Sequence, residues 1–127
     1  MTATLTATER AIALGILADT DLLQTEADRL RCGGAGGFTG RRRVQHGRRL
    51  ALLDAALHYG PRVDLAVWLG TEPTPAVRQA GRRALARLEA AGLIERSAPL
   101  GGRMSHARLT AVGLSVAKEA ARAEAHP

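Results

Sequence analysis

Aromatic side chains are nearly missing from this chain: Phe38, Tyr59 and Trp68 are the only three in 127 residues. A core must therefore be built from Leu, Ala, Val and Ile, and no aromatic-lined pocket for a drug-sized ligand is evident, which weighs against a small-molecule sensor. Cysteine is just as scarce. Cys32 stands alone, so no internal disulfide can form. Arg29 and Arg31 beside it admit a redox role, but one cysteine in such a segment is usually incidental. Cys32, His46, His58, His106 and His126 are scattered without metal-ligand spacing, and we expect neither a metal nor another cofactor. No apolar run approaches membrane-spanning length or has a signal-peptide layout, so the expected location is cytoplasmic, at the nucleoid and away from membranes. Ser97, Ser105 and Ser115 lack nucleophile context, and no Ser/His/Asp set or paired-carboxylate motif stands out, so the expectation is that the chain is not an enzyme.

Lysine is the last shortage, and it turns attention to what is plentiful. Lys118 is the single lysine beside 17 arginines, a choice that suits bidentate contacts to phosphate and guanine and also echoes a GC-rich genome. The distribution of charge says more than the choice. Residues 41–108 hold 13 Arg against 5 Asp or Glu, giving +8, whereas residues 1–40 hold 3 against 5, giving −2. Residues 109–127 balance at 2 against 2, and the whole chain carries +6. Such a segregated field attracts polyanions and makes binding fall steeply with salt.

Within the basic part, Val63 to Gly113 forms a patterned unit. Asp64 to Gly70 is a short amphipathic piece ended by Thr71-Glu72-Pro73-Thr74-Pro75, and Thr74 followed by Pro75 is a helix start. Taking roughly 100° per residue, Val77, Ala80, Gly81, Ala84, Leu85, Leu88 and Ala91 gather on one side of the following helix, expected over 75–91. Gln79, Arg82 and Arg83 fall opposite, with Arg78 and Arg87 on the flanks. Any solvated helix of an Arg-rich, Ala-rich chain would look similar, so the flanking elements matter. Upstream lies a second helix across a short turn. Downstream, Gly92 stops the helix, and Leu93–Ala98 can pair with His106–Thr110 across a loop bearing Gly101, Gly102 and Arg103. Arg96, Arg103 and Arg108 lie on or beside that hairpin, where an arginine can grip a phosphate or enter a minor groove; a plain solvated hairpin stays open as the alternative.

The run Arg83 to Arg96 (RALARLEAAGLIER), then Gly102-Arg103, then Arg108 to Gly113 (RLTAVG), resembles bacterial winged helix-turn-helix DNA-binding regulators of the MarR and PadR type, at superfamily level. In those families the first run closes the recognition helix and opens the wing, and the last joins the wing to the next helix. The resemblance covers about half the chain and implies a mainly α fold with a small β-hairpin. It implies that Thr74, Ala76, Arg78, Gln79, Arg82 and Arg83 face DNA, with Arg103 at the wing tip. Gly101-Gly102-Arg103 departs from many MarR-type wings in having no acidic residue before the arginine, and the N-terminal half matches no subfamily.

That N-terminal half, residues 1–32, reads as a helical segment. Thr6 and Glu9 have capping-box spacing, and Ile12, Ile16, Leu23, Ala27 and Leu30 recur at helical intervals as far as Gly33, in one long helix or in two broken near Ala18–Asp21. Its apolar stripe needs a partner, either the rest of the chain or the same helix in a second subunit; its acidic character favours a homodimer. Residues 33–43 read as a Gly/Arg-rich linker without phosphate-loop spacing, and 44–127 as the winged domain, opening with a helix over His46–Tyr59 and closing with one over Thr110–Ala125. Arg41, Arg42, Arg43, Arg48, Arg49, Arg96 and Arg108 are further candidates for phosphate contact, or simply solvated charges. The expectation is a regulator that reads double-stranded DNA, with Gln79, Arg82 and Arg83 toward base edges and Arg78 and Arg87 toward phosphates. Two other readings stay open: a DNA-binding accessory factor of a phage or plasmid, and a winged-helix module or inhibitor with a protein partner.

Overall fold

A computed structural model describes residues 4–33, 39–72, 74–99 and 105–125. It is mainly helical, with five helices and one antiparallel hairpin among those residues: α1 (Ala7–Gly33), α2 (Arg41–Tyr59), α3 (Leu65–Leu69), α4 (Pro75–Ala90), β1 (Ile94–Ser97), β2 (His106–Leu109) and α5 (Ala111–Ala125).

The capping box starts α1 as the spacing predicts. Thr6 N–H donates to Glu9 Oε1 at 3.1 Å, and Glu9 N–H donates to Thr6 Oγ1 at 3.1 Å. No break occurs near Ala18–Asp21; the Thr20 hydroxyl bonds back to the Ile16 carbonyl at 2.6 Å and Thr25 does the same to Asp21 at 2.9 Å. Their hydroxyls are satisfied inside the helix instead of competing with it. The apolar stripe of α1 turns into the chain's own core. Ile12 and Ile16 are completely buried together with Trp68, Ala84, Leu85, Leu88, Leu93, Ile94 and Ala107. Two isoleucines of that kind stabilise by about 1.5–3 kcal/mol each.

Helix α2 begins at Arg41, five residues before the expected start, so Arg41–Arg43 are a first helical turn and not linker. Gly40, at φ 57°, holds the left-handed geometry that lets the chain turn just ahead of three good helix formers. α2 packs along α1, and the two are joined by Arg31–Asp54 and Arg49–Glu26 ion pairs. Asp64 caps α3 by accepting from Val67 N–H at 3.2 Å, and Gly70 ends it in the left-handed region. Trp68 of α3 lies so close to α1 that a Cβ on Gly15 would sit 2.4 Å from the indole. The indole Nε1–H donates to Asp19 Oδ2 at 2.8 Å, fixing the ring against α1.

The hairpin pairs Ile94 with Leu109 and Ser97 with His106. A bridge from Arg62 to His106 extends it, with Ala107 N–H donating to Pro61 O at 3.1 Å and Val63 N–H to Ser105 O at 3.0 Å. Residues 61–63 thereby occupy the free edge of β2. Thr110 then starts α5 by accepting from Gly113 N–H at 3.0 Å, while its own hydroxyl donates to Gly92 O at 2.6 Å. Gly113 has no room for a side chain, since an added Cβ would meet Leu93 O at 1.8 Å. No helix among the described residues is long and apolar enough to cross a membrane.

Candidate nucleic-acid interface

Helix α4 carries the densest set of predicted site residues. Thr74 caps it, its Oγ1 accepting from Val77 N–H at 3.2 Å, and Pro75 occupies the first turn, where its missing N–H costs nothing. At the other end Gly92 (φ 76°) closes a Schellman turn: Leu93 N–H reaches Leu88 O at 2.9 Å and Gly92 N–H reaches Glu89 O at 3.0 Å. Gly81, Ala84, Leu85 and Leu88 are buried and Val77 is half-buried, as the periodicity predicts; Ala80 and Ala91, expected on the same side, are exposed at its margins. Close approach to α3 explains the glycine at 81, where a Cβ would fall 2.7 Å from Leu65 Cδ1. The Leu65 side chain of α3 fills the space over Gly81.

What remains of α4 is a wide exposed arc. Thr74, Pro75, Ala76, Arg78, Gln79, Arg82, Arg83, Ala86 and Ala90 are all exposed. Arg78, Arg82 and Arg83 make no ion pair or side-chain hydrogen bond among the described residues, so three guanidinium groups project from one helix with their donors unspent. Ala76, Ala86 and Ala90 beside them are short, which lets a bulky partner approach the helix closely. The only acid in α4 is Glu89, and it is held by Arg96 of β1 through Nη2 at 2.9 Å and Nε at 3.3 Å. That fork keeps the Glu89 carboxyl below its usual range, so the one acid within α4 is paired.

The flanking residue Arg87, expected to contact a phosphate, stays about half-exposed beside α1. Its Nε lies 3.8 Å from Glu9 Oε1, so α4 is tied to the N-terminal cap of α1. Among the candidate phosphate contacts, Arg96 holds Glu89, Arg49 holds Glu26, and Arg108 is a brace: its Nη2 donates to its cross-strand partner Glu95 at 2.6 Å and its Nη1 to His58 O at 3.0 Å. Each has some of its donors engaged by an acid or carbonyl on a neighbouring element, while the side chains stay partly exposed. Arg41, Arg42, Arg43 and Arg48 are exposed without such partners among the described residues. Arg103, expected at the hairpin tip, lies outside the described residues.

Sequence reasoning overlooked the Asp19–Trp68 and Glu9–Arg87 contacts, which join residues 49 and 78 positions apart and leave no local trace. It placed His106 at the start of the second strand but did not foresee the burial of its ring. That imidazole is buried on β2, its Nδ1 2.9 Å from Gly60 O, with Nε2 sealed away from any partner among the described residues. His106 lies at the wall of a cleft of about 720 Å³, which it shares with Asp19, Leu22, Leu23, Ala56 and the 61–64 segment. No protein-family model, curated protein or solved structure matches this chain.

Proposed function

We propose that this protein is a winged helix-turn-helix regulator that binds double-stranded DNA through α4. The observation that carries this reading is the arginine arc of α4, unpaired among the described residues, with the helix's only acid held by Arg96. A helix of this width fits the major groove, and Gln79, Arg82 and Arg83 are the residue types that make paired hydrogen bonds to adenine or guanine edges. Arg78 serves the adjacent phosphates. The order of elements supports the same architecture: a short helix capped by Asp64, a turn, the basic helix capped by Thr74, then a hairpin returning to a final helix. The reading includes a homodimer, which would set two half-sites about 34 Å apart on the duplex; sedimentation of the full chain tests it, and a purely monomeric species at working concentration refutes that part.

Selection from a random duplex library, followed by anisotropy titration of the enriched sequence against competitor DNA, tests the function. Wild type should enrich a sequence, and Arg82→Ala plus Arg83→Ala should weaken binding to it by roughly tenfold or more, given about 1–3 kcal/mol for each base-reading arginine. No enrichment by wild type refutes sequence-specific regulation. Equal binding by the double variant refutes the placement of α4 in the groove.

A further inference from the structure

The arginines of α2 carry an inference that rests on the DNA reading and goes beyond it. At roughly 100° per residue, Arg41, Arg42, Arg48 and Arg49 share one face of α2 over its first turns, with Gln45 between them. Arg49 is occupied by Glu26, but Arg41, Arg42 and Arg48 are exposed and unpaired among the described residues. No acid occurs in α2 before Asp54. This charge does not serve the helix: like charges crowd near its positive end, where acids and not arginines are stabilising.

Helix α1 fixes where this face lies relative to α4. On the α4 side, Glu9 of α1 pairs with Arg87 and Ile12 shares the core with Ala84, Leu85 and Leu88, whereas on the α2 side Glu26 pairs with Arg49 and Arg31 with Asp54. At about 100° per residue both groups fall on the same side of α1, so α2 and α4 stand on one side of a common strut. Glu9, paired with Arg87, and Glu26, paired with Arg49, are 17 residues apart. At about 1.5 Å per residue the points at which α4 and α2 are anchored lie roughly 25 Å apart along α1, the length of about 7–8 base pairs of B-DNA.

We propose that Arg41, Arg42 and Arg48 form a second, sequence-independent contact to the phosphates of the duplex held by α4, about 7–8 base pairs from the recognition helix. The footprint of one subunit then exceeds what a single helix and hairpin cover. The partner is the same DNA molecule, and the contact supplies affinity and orientation without reading bases.

The test compares wild type with Arg41→Ala plus Arg42→Ala plus Arg48→Ala on mixed-sequence hairpin duplexes of roughly 7 and 30 base pairs, measuring anisotropy over a salt series. Alanine favours the helix and relieves its charge crowding, and circular dichroism of the variant confirms that it folds. On the long duplex the variant should bind more weakly and lose about 2–3 from the slope of log affinity against log salt. On the short duplex the two proteins should bind alike. Equal slopes on the long duplex, or equal losses at both lengths, overturn the second contact while leaving α4 in place. Failure of wild type to bind either duplex overturns the DNA reading and this inference with it.

Discussion

Replacing Gly15 with alanine asks whether α1 belongs to the core of this chain. In an isolated helix the change favours folding by about 1 kcal/mol, because alanine loses less backbone freedom. At position 15 the new methyl would stand 2.4 Å from both Cγ and Cδ1 of Trp68 and 2.8 Å from its Cβ. Reaching ordinary contact near 3.7 Å requires α1 and α3 to separate by more than about 1 Å. The indole cannot simply rotate away, since it is buried and its Nε1–H is bonded to Asp19. Overpacking costs about 1–3 kcal/mol, and loosening a hydrogen bond to a carboxylate adds about 1.5–3 kcal/mol. Set against the propensity gain, Gly15→Ala should destabilise by about 1.5–5 kcal/mol, lowering Tm by at least roughly 5 °C for a chain of this size. Gly47 on α2 supplies the control, because nothing lies within 4 Å of a Cβ placed there. Gly47→Ala should stabilise by up to about 1 kcal/mol. Urea titrations followed by far-UV circular dichroism and by the single tryptophan measure both. If Gly15→Ala stabilises as Gly47→Ala does, α1 is not packed on Trp68, and the ruler on which the second DNA contact was measured is lost.

Two further outcomes follow from local geometry. Thr74→Ala removes the acceptor for Val77 N–H and should cost about 1 kcal/mol in denaturant titration, whereas Thr74→Asp should retain most of the stability. The hydrogen bonds from Arg96 lower the Glu89 pKa in the folded protein, so the stability they contribute is present above the ordinary carboxylate pKa and is lost as pH falls through the lowered value. Arg96→Ala should return the Glu89 carboxyl to its ordinary range in an NMR titration; an unchanged value would show that the pair does not form in solution.

Much of the fold was legible because its signals are short. The Thr6–Glu9 box, the Thr74-Pro75 start and the Gly92 stop involve atoms three to five residues apart, and each makes its hydrogen bond as spaced. The buried side of α4 follows from periodicity in the same way, with errors only at Ala80 and Ala91 on its margins. Charge was less legible. An arginine count treats Arg78, Arg82, Arg87, Arg96 and Arg108 alike, yet two are unpaired among the described residues while the others meet Glu9, Glu89 and Glu95. The start of α2 was missed because arginine is common in both linkers and helices, and the glycines before it drew the boundary too late.

By itself the sequence determined where most elements begin and end, which side of α4 is apolar, and that the positive charge is concentrated between residues 41 and 108. Only the tertiary structure decided that α1 buries Ile12 and Ile16 in the shared core, and which arginines keep their donors for a partner. Caps and periodicity are set by neighbours within a turn or two of backbone, whereas ion pairing depends on how separate elements cross, and that is settled only when the core closes.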